Sequence, residues 1–495
     1  MTAKSELSSL EASGLIRLAA LEPDIEYLFR HALVQDAAYS SLTKQDRRGL
    51  HARAAQVLLS LYPQRERELG AVLGMHLEQA GDTAGAVRHF VDAGEHAVER
   101  FANQEAVAFF DRAYRDAPND AKDAPTVELR VRAAIGAVKA GWMFPEADTA
   151  LVRLDEAIGS ADGIVGPRLL ADALFWTIFL RQTRGENEMS SPDLRAMRER
   201  LDMIGAAIED PVALAPAEAL SGIFMVSTGQ MRAGAARLER ALSVLEQRGD
   251  PYSAGLLANV LSSTYARLGE FDAAERALAT SQRLSKTGDA IARLDSTIAG
   301  ATIAFERGHA VDSAAAASAC AVEAEDLGAV ACSIFSNLTV GEARLELGEP
   351  SSAKPALERV HELSTLAKMD FTRTLARGWL TAVEARIGPP PGDDQWDAAL
   401  RSARQTGDRF QEATIHRQRA LGMVVGTDPD WPAIREELDR AAALFEACEA
   451  RPALVRTLRD TARALDALDR AAEAAAARDR AAELARAIGM SDQPP

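Results

Sequence analysis

The chain has 495 residues, with 56 Lys and Arg against 73 Asp and Glu, for a formal net charge of −17. Hydrophobic residues make up 47 % but aromatic ones only 5 %, and 33 Gly and 20 Pro punctuate an alanine-rich chain that reads as helix throughout. The length allows about three ordinary domains; the apolar fraction excludes disorder, and the acidity argues against nonspecific nucleic-acid binding, which needs clustered Lys and Arg.

Residues 1 to 60 hold seven basic and seven acidic side chains, so this stretch is neutral and the whole −17 falls after it. Leu7, Leu10, Leu15 and Ile16 predict a short helix over 7–16 that ends near Gly14. Residues 15–20 and 25–31 then alternate toward strand character about a turn at Glu22-Pro23-Asp24, and a long helix is expected from about Leu33. Helix, hairpin and helix match the later half of a winged helix. The most distinctive stretch runs from Tyr27 to Tyr39 and includes Phe29, Arg30, His31, Gln35 and Asp36. With Arg47-Arg48-Gly49-Leu50-His51 it resembles the junction between the ATPase module and the repeats of multidomain bacterial signalling ATPases, many of which carry a class III adenylate or guanylate cyclase domain. The resemblance covers about residues 7–115. It implies that Phe29, Arg30, His31, Gln35, Asp36, Tyr39, Arg48 and His51 are structural, and that residues 1–62 are a partial winged-helix-like junction. It also implies that the chain is the downstream, non-catalytic portion of such a protein, either separate or with a truncated start.

Beyond the junction, glycines recur at an almost fixed interval: Gly229, Gly269, Gly308, Gly348, Gly388 and Gly426, with Gly141 and Gly185 extending the series toward the N-terminus. A second marker runs out of phase with the first, as Gly249-Asp250, Gly288-Asp289, Gly328, Met369-Asp370 and Gly407-Asp408. Gly suits the left-handed residue that ends a helix, and Asp caps the next one. Each unit of about 40 residues is therefore a helical hairpin with arms of roughly 16 to 18 residues. Five residues after the glycines at 81, 229, 269, 308 and 348 stand Ala86, Gly234, Ala274, Ser313 and Ala353; four further on stand Phe90, Leu238, Leu278, Ala317 and Leu357. These spacings share one helix face, where small residues admit the neighbouring helix and larger ones fill the gaps.

The clearest turn, Leu268-Gly269-Glu270-Phe271-Asp272-Ala273-Ala274, resembles the tetratricopeptide repeat, lengthened beyond its usual period of about 34 residues. The expected fold is thus all-α: a tetratricopeptide-like solenoid of about ten hairpins over 63–490. Residues 83–117 read as a compressed hairpin, Gly388-Pro389-Pro390-Pro391-Gly392 as an exposed stiff loop, and 452–490 as a capping pair. Residues 491–495 read as a disordered tail.

No set of side chains specifies catalysis. A phosphate-binding loop needs a second Gly and a Ser or Thr that Gly348 to Pro355 lacks, although Lys354 is in place. Histidines 31, 51, 76, 89 and 96 show no metal-ligand spacing, and no nucleophile elbow occurs. Neither a catalytic residue, a cofactor nor a metal is expected. Cys320, Cys332 and Cys448 cannot form a disulfide framework, and Cys320 and Cys332 read as buried packing residues. With no apolar run of about 18 residues and no secretory signal, a cytoplasmic protein without membrane association is expected. The concave surface should be built from the first helix of each pair, and Asn259, Ser263, Thr297, Thr302, Asn337 and Arg344 are its candidate peptide-binding residues. The function expected is a non-catalytic sensor or scaffold that binds a protein or peptide and regulates an ATPase or cyclase module. The alternative is a DNA-binding regulator that uses the basic cluster Arg30, Lys44, Arg47, Arg48 and Arg53, unless those charges pair with Asp36 and Asp46.

Overall fold

The structure is a computed structural model that describes residues 3–20, 26–100, 102–144, 147–186, 191–207, 211–285, 290–388, 391–425 and 429–491. Among these residues 24 α-helices follow one another, with one two-stranded sheet near the N-terminus. Helix α1 (Ala3–Ala12) starts earlier than its apolar residues suggest and stops short of Gly14, whose φ is 76°. Strands β1 (Ile16–Ala20) and β2 (Glu26–Phe29) pair antiparallel, with Ile16 opposite Phe29 and Arg17 opposite Leu28. The turn at Glu22-Pro23-Asp24 lies outside the described residues. The single long helix expected from Leu33 is two helices, α2 (Ala32–Ser41) and α3 (Lys44–Leu61). Thr43 makes the break: its hydroxyl accepts from the Asp46 N–H as the N-cap of α3 and donates to the Asp46 carboxylate at 2.6 Å.

The repeats begin with α4 (Gly70–Ala80), α5 (Thr83–Glu99), α6 (Asn103–Asp116), α7 (Ala124–Gly141) and α8 (Ala147–Ala161). They continue through α9 (Pro167–Thr183), α10 (Pro192–Ala207), α11 (Pro211–Ser227), α12 (Met231–Arg248), α13 (Pro251–Leu268) and α14 (Phe271–Leu284). Next come α15 (Ala290–Glu306), α16 (Ala310–Asp326), α17 (Val330–Glu346), α18 (Pro350–Leu366) and α19 (Asp370–Ile387). The last are α20 (Asp393–Thr406), α21 (Arg409–Met423), α22 (Trp431–Ala447), α23 (Arg451–Ala467) and α24 (Ala471–Ile488). The stretch 83–117 holds two ordinary helices of 17 and 14 residues rather than a compressed pair.

The helix stops are the glycines. Gly81, Gly185, Gly229, Gly269, Gly308 and Gly348 are left-handed, as are Gly249, Gly328 and Gly407 of the second series. Asp250 and Asp408 then cap α13 and α21 by accepting from the N–H groups of Ser253 and Gln411. Three markers differ from expectation. Gly141 is inside the last turn of α7, Gly388 is extended at φ −124°, and at Met369-Asp370 the left-handed residue is Lys368. Gly288-Asp289, Gly426 and Pro389-Pro390 lie outside the described residues.

Packing within the pairs follows the small-residue pattern. Ala86, Gly234, Ala274, Ser313 and Ala353 are all buried, as are Phe90, Leu238, Ala317 and Leu357, while Leu278 is partly so. Backbone meets backbone between α11 and α12, where a Cβ at Gly234 would lie 2.8 Å from the carbonyl oxygen of Gly222.

Stacked pairs wind into a superhelix whose turns touch. Helix α9 meets α19 and α13 meets α23, ten helices on in each case, so one turn takes about five hairpins. Along this seam the glycine turns of one superhelical turn abut the loops of the next. A Cβ at Gly185 would lie 2.9 Å from Asp370, one at Gly229 2.7 Å from the Cys448 sulfur, and one at Gly269 3.1 Å from Ile488. Polar ties reinforce the contact. Arg451 donates to the carbonyl of Leu268 at 2.6 Å, and Arg232 bridges Glu270 and Glu449 at 2.8 Å each. Helix α23 is accordingly buried along much of its length, because it closes the superhelix on α13 as well as packing on α22. Only α24, buried at Ala474, Ala481, Ala485 and Ile488, caps the array. Ser491, expected in the frayed tail, donates its N–H to the carbonyl of Arg307 at 2.8 Å, and residues 492–495 lie outside the described residues.

Gly234→Val inserts a branched side chain where two backbones meet, and overpacking of this kind costs about 1–3 kcal/mol. The expected result is a lowered urea midpoint, with hydrogen-exchange protection lost first in α11 and α12.

Candidate ligand-binding cavity

Beside the seam the superhelix holds a half-open cavity of about 410 Å³. Its walls are the first helices of successive pairs, α9, α11, α13, α15, α17, α19, α21 and α23, as the hairpin pattern leads one to expect. Each helix contributes a stripe at four-residue steps: Asn259, Ser263 and Arg267 on α13; Ile298, Thr302 and Glu306 on α15; Leu338, Glu342 and Glu346 on α17. These residues stand ten, six and two positions before Gly269, Gly308 and Gly348. The same register gives Ile223 and Ser227 before Gly229, and Phe179 and Thr183 before Gly185. The repeat thus lines its interior with equivalent positions.

Of the six residues proposed for the concave surface, Asn259, Ser263 and Thr302 line the cavity and three do not. Thr297 turns its hydroxyl to the carbonyl of Arg293, and Asn337 is buried and donates to the carbonyl of Ser333 at 2.9 Å. Arg344 pairs with Glu349 at 2.6 Å. Thr297 and Asn337 lie one residue to the wrong side of the lining stripe, and Arg344 falls midway between two of its members. Sequence reasoning missed Arg267, Glu306, Glu342, Glu346, Arg417 and Arg456; the register of the left-handed glycines was the signal that locates the first four.

Two buried charge networks stiffen the wall. Arg417 on α21 donates to Glu346 at 2.7 and 3.1 Å and to Asp460 on α23 at 2.8 Å. Burial opposes ionisation of Glu346, but Arg417, with Arg456 and Arg386 behind it, brings its pKa down to about 2. Arg456 on α23 donates through Nη2 to Glu306 at 2.7 Å, and its guanidinium lies over the ring of Phe305.

Several polar groups on the cavity wall have no partner. Arg456 Nε and Nη1, Trp379 Nε1 and Asn259 Oδ1 are buried without a hydrogen bond among the described residues. Arg267 lies 4.8 Å above the ring of Phe410 and makes no ion pair with a described residue. Glu342, between the two networks, is likewise unpaired; burial pushes its pKa up to about 7, Arg267 pulls against that rise, and Glu306 adds to it. Native interiors leave few such groups unsatisfied.

The junction residues form a separate patch. Tyr39 Oη is 3.1 Å from His51 Nε2, and His51 Nδ1 is 2.8 Å from His76 Nδ1 on α4, a contact between histidines that their spacing did not suggest. The His76 pKa is lowered, first by burial and then by His51. Arg47 stacks on Tyr39 and Arg48 lies beside the turn at Gly81, while Asp46 is engaged by Thr43 instead of by the basic cluster. His31 takes the N-cap position of α2 without a side-chain cap, and Phe29, Arg30, Gln35 and Asp36 are exposed. Cys320 and Cys332 are buried, the latter 3.6 Å from the Met143 sulfur. No described helix is long and apolar enough to cross a membrane.

No protein-family model matches the chain, and no curated protein matches its sequence. Among solved structures it is similar to a Rap protein complexed with competence and sporulation factor, with 13 % identity over 72 % of this chain and 98 % of that one, and a TM-score of 0.56. It also matches a Signal Transduction ATPase with Numerous Domains with a tetratricopeptide repeat sensor from Pyrococcus horikoshii, 15 % identical over 90 % of this chain and 60 % of that one (TM-score 0.37). A further match is the apo quorum sensor NprR from B. thuringiensis, 9 % identical over 80 % and 98 % (TM-score 0.36). The Rap likeness shows a shared tetratricopeptide-like α-solenoid fold.

Two outcomes follow for the wall. Arg417→Met strips Glu346 and Asp460 of their common cation, and breaking a buried pair in this way costs about 3–5 kcal/mol; urea unfolding should shift accordingly, and exchange protection should fall in α17 and α23 together. Glu342 is neutral below its unfolded pKa and must ionise in place above about 7. Its contribution to stability is therefore present at low pH and lost as pH rises through the folded value. Melting temperatures measured between about pH 5 and about pH 8 should decline less steeply in Glu342→Gln than in the parent chain.

Proposed function

We propose that this chain is a non-catalytic regulatory module that binds a peptide or protein segment inside its superhelix. The observation that carries the reading is the interior itself, a cavity faced by equivalent positions of successive repeats and carrying polar groups with no partner. Buried groups of that kind cost free energy unless something hydrogen-bonds to them, so they favour a bound state. Tetratricopeptide-like solenoids suit this use because the inner helices form one continuous surface. The Rap protein of similar fold is seen in complex with competence and sporulation factor, which accords with an interior that accepts a ligand.

In this reading residues 63–490 are the sensor and residues 1–62 the junction through which binding is relayed. The segment leaves Leu33 82 %, Leu61 63 % and Leu50 55 % exposed, an apolar surface suited to docking an effector module. Its resemblance to the junction of signalling ATPases favours an ATPase or nucleotide cyclase as that effector.

A photo-crosslinking residue in place of Ser263, on the cavity wall, should trap a peptide or protein segment from native lysate. The same residue in place of Val311, exposed on the outer helix α16, should not. Equal trapping at the two positions, or none at either, removes the reading.

A further inference from the structure

Resting on the reading that the interior binds a ligand, we propose that this ligand presents a carboxylate to Arg267 and Arg456 and lays an apolar body against the aromatic wall beside them. The imbalance of unmet hydrogen-bonding groups carries the inference. Arg456 is 7 % exposed and uses only Nη2, on Glu306, so that Nε and Nη1 are donors without acceptors. Arg267 contributes a whole guanidinium with no acceptor among the described residues, and Trp379 Nε1 adds another unmet donor. Against them, among the described residues of this wall, stand the buried Asn259 Oδ1, which is unmet, and the half-buried Glu342 carboxyl, which makes no ion pair. The two arginines are brought together from opposite sides of the seam, one on α13 and one on α23, and both act through space on Glu342.

Each guanidinium is also held in orientation. Phe305 lies 4.6 Å beneath that of Arg456 and Phe410 lies 4.8 Å beneath that of Arg267, leaving their N–H edges as the binding groups. An N–H edge matches a planar carboxylate, which accepts two bonds at once, better than it matches a neutral carbonyl. Arg417, the third arginine of the wall, is already saturated by Glu346 and Asp460 and is not part of the anchor. Beyond the anchor the cavity offers Phe335 and Phe445, with room for a body of a few small residues or a short chain. A carboxylate on an apolar body belongs equally to the C-terminus of a short peptide and to a free organic acid.

Calorimetric titration of the full chain tests the anchor and separates the two sources. The probes are octanoate, 3-phenylpropionate, and a leucine–phenylalanine tetrapeptide with either a free or an amidated C-terminus. At least one free acid is expected to bind, with its neutral amide counterpart about tenfold weaker or worse, as loss of a charge-assisted bond implies. Arg267→Gln is expected to weaken the same acid about tenfold. The variant has no ion pair to a described residue to lose but does lose the stacking on Phe410; it should still unfold cooperatively, and its folded fraction is confirmed before titration. Arg456→Lys, which retains a cation for Glu306 but loses the fork, should weaken it too. Tight binding by octanoate or 3-phenylpropionate alone assigns a free acid, and binding by the tetrapeptide alone assigns a peptide terminus; either outcome upholds the anchor. Equal affinity for acid and amide, undiminished affinity in Arg267→Gln, or no binding by any probe overturns it. In those cases crosslinking from Ser263 that persists leaves the peptide-binding reading standing, whereas its loss removes both.

Discussion

Everything inside this molecule depends on how closely one turn of the superhelix lies on the next. A solenoid of helical hairpins is ordinarily an open spiral whose concave face is wet. Here the loops of the second turn come within van der Waals distance of the glycine turns of the first, at Gly185, Gly229 and Gly269. The spiral groove becomes a cavity as a result. The same glycines therefore meet two demands. Their left-handed backbone ends a helix, and the missing side chain makes room for a partner loop far along the chain. Hydrophobic burial holds the seam, with Met231, Phe271, Phe445, Val455 and Ile488 sharing one cluster from both turns.

The charged residues of the interior follow from that closure. Arg417, Glu346 and Asp460 would be ordinary groove residues on an open spiral, solvated and nearly neutral in their contribution. Buried in the wall, they satisfy one another, and three inner helices of one superhelical turn, α17, α21 and α23, become mutually positioned. Such networks seldom add net stability over apolar packing, but they penalise any register other than the one that completes them. Arg267 and Glu342 differ because no described residue completes them with an ion pair or hydrogen bond.

Much of this was legible in the amino-acid sequence, and the remainder failed for definable reasons. The near-constant glycine interval predicts the hairpins, and the small residues five positions on, such as Gly234 and Ala353, predict which face the second helix buries. Those signals are local, set by backbone sterics and helix geometry. Thr43 was missed as a helix stop because a lone threonine is weak beside the apolar run that follows Leu33. The cavity-facing side was placed one residue off at Thr297 and Asn337, because an amphipathic pattern on a helix buried along two sides does not say which side faces the axis. Counting back from the left-handed glycines resolves it, since the turn fixes the phase of the helix before it. The pairing of Arg417 with Glu346 could not have been read, as it reaches across the groove between inner helices two hairpins apart, a distance set by the curvature of the array. The same holds for His51 and His76, whose contact depends on how α3 meets α4.

The seam also changes what kind of object the array is. In an open repeat protein each unit touches only its neighbours, so stability accumulates as in a one-dimensional chain and folding can begin or fray anywhere. Arg451 and Leu268 are 183 residues apart in sequence, and Arg232 and Glu449 are 217 apart. Contacts of that span turn the line into something closer to a cylinder, in which no hairpin of the middle is terminal and none can loosen alone. Loop-closure entropy makes such contacts slow to form, and once formed they bind the array into one cooperative unit. Strain at one point of the interior wall is therefore shared among hairpins of both superhelical turns.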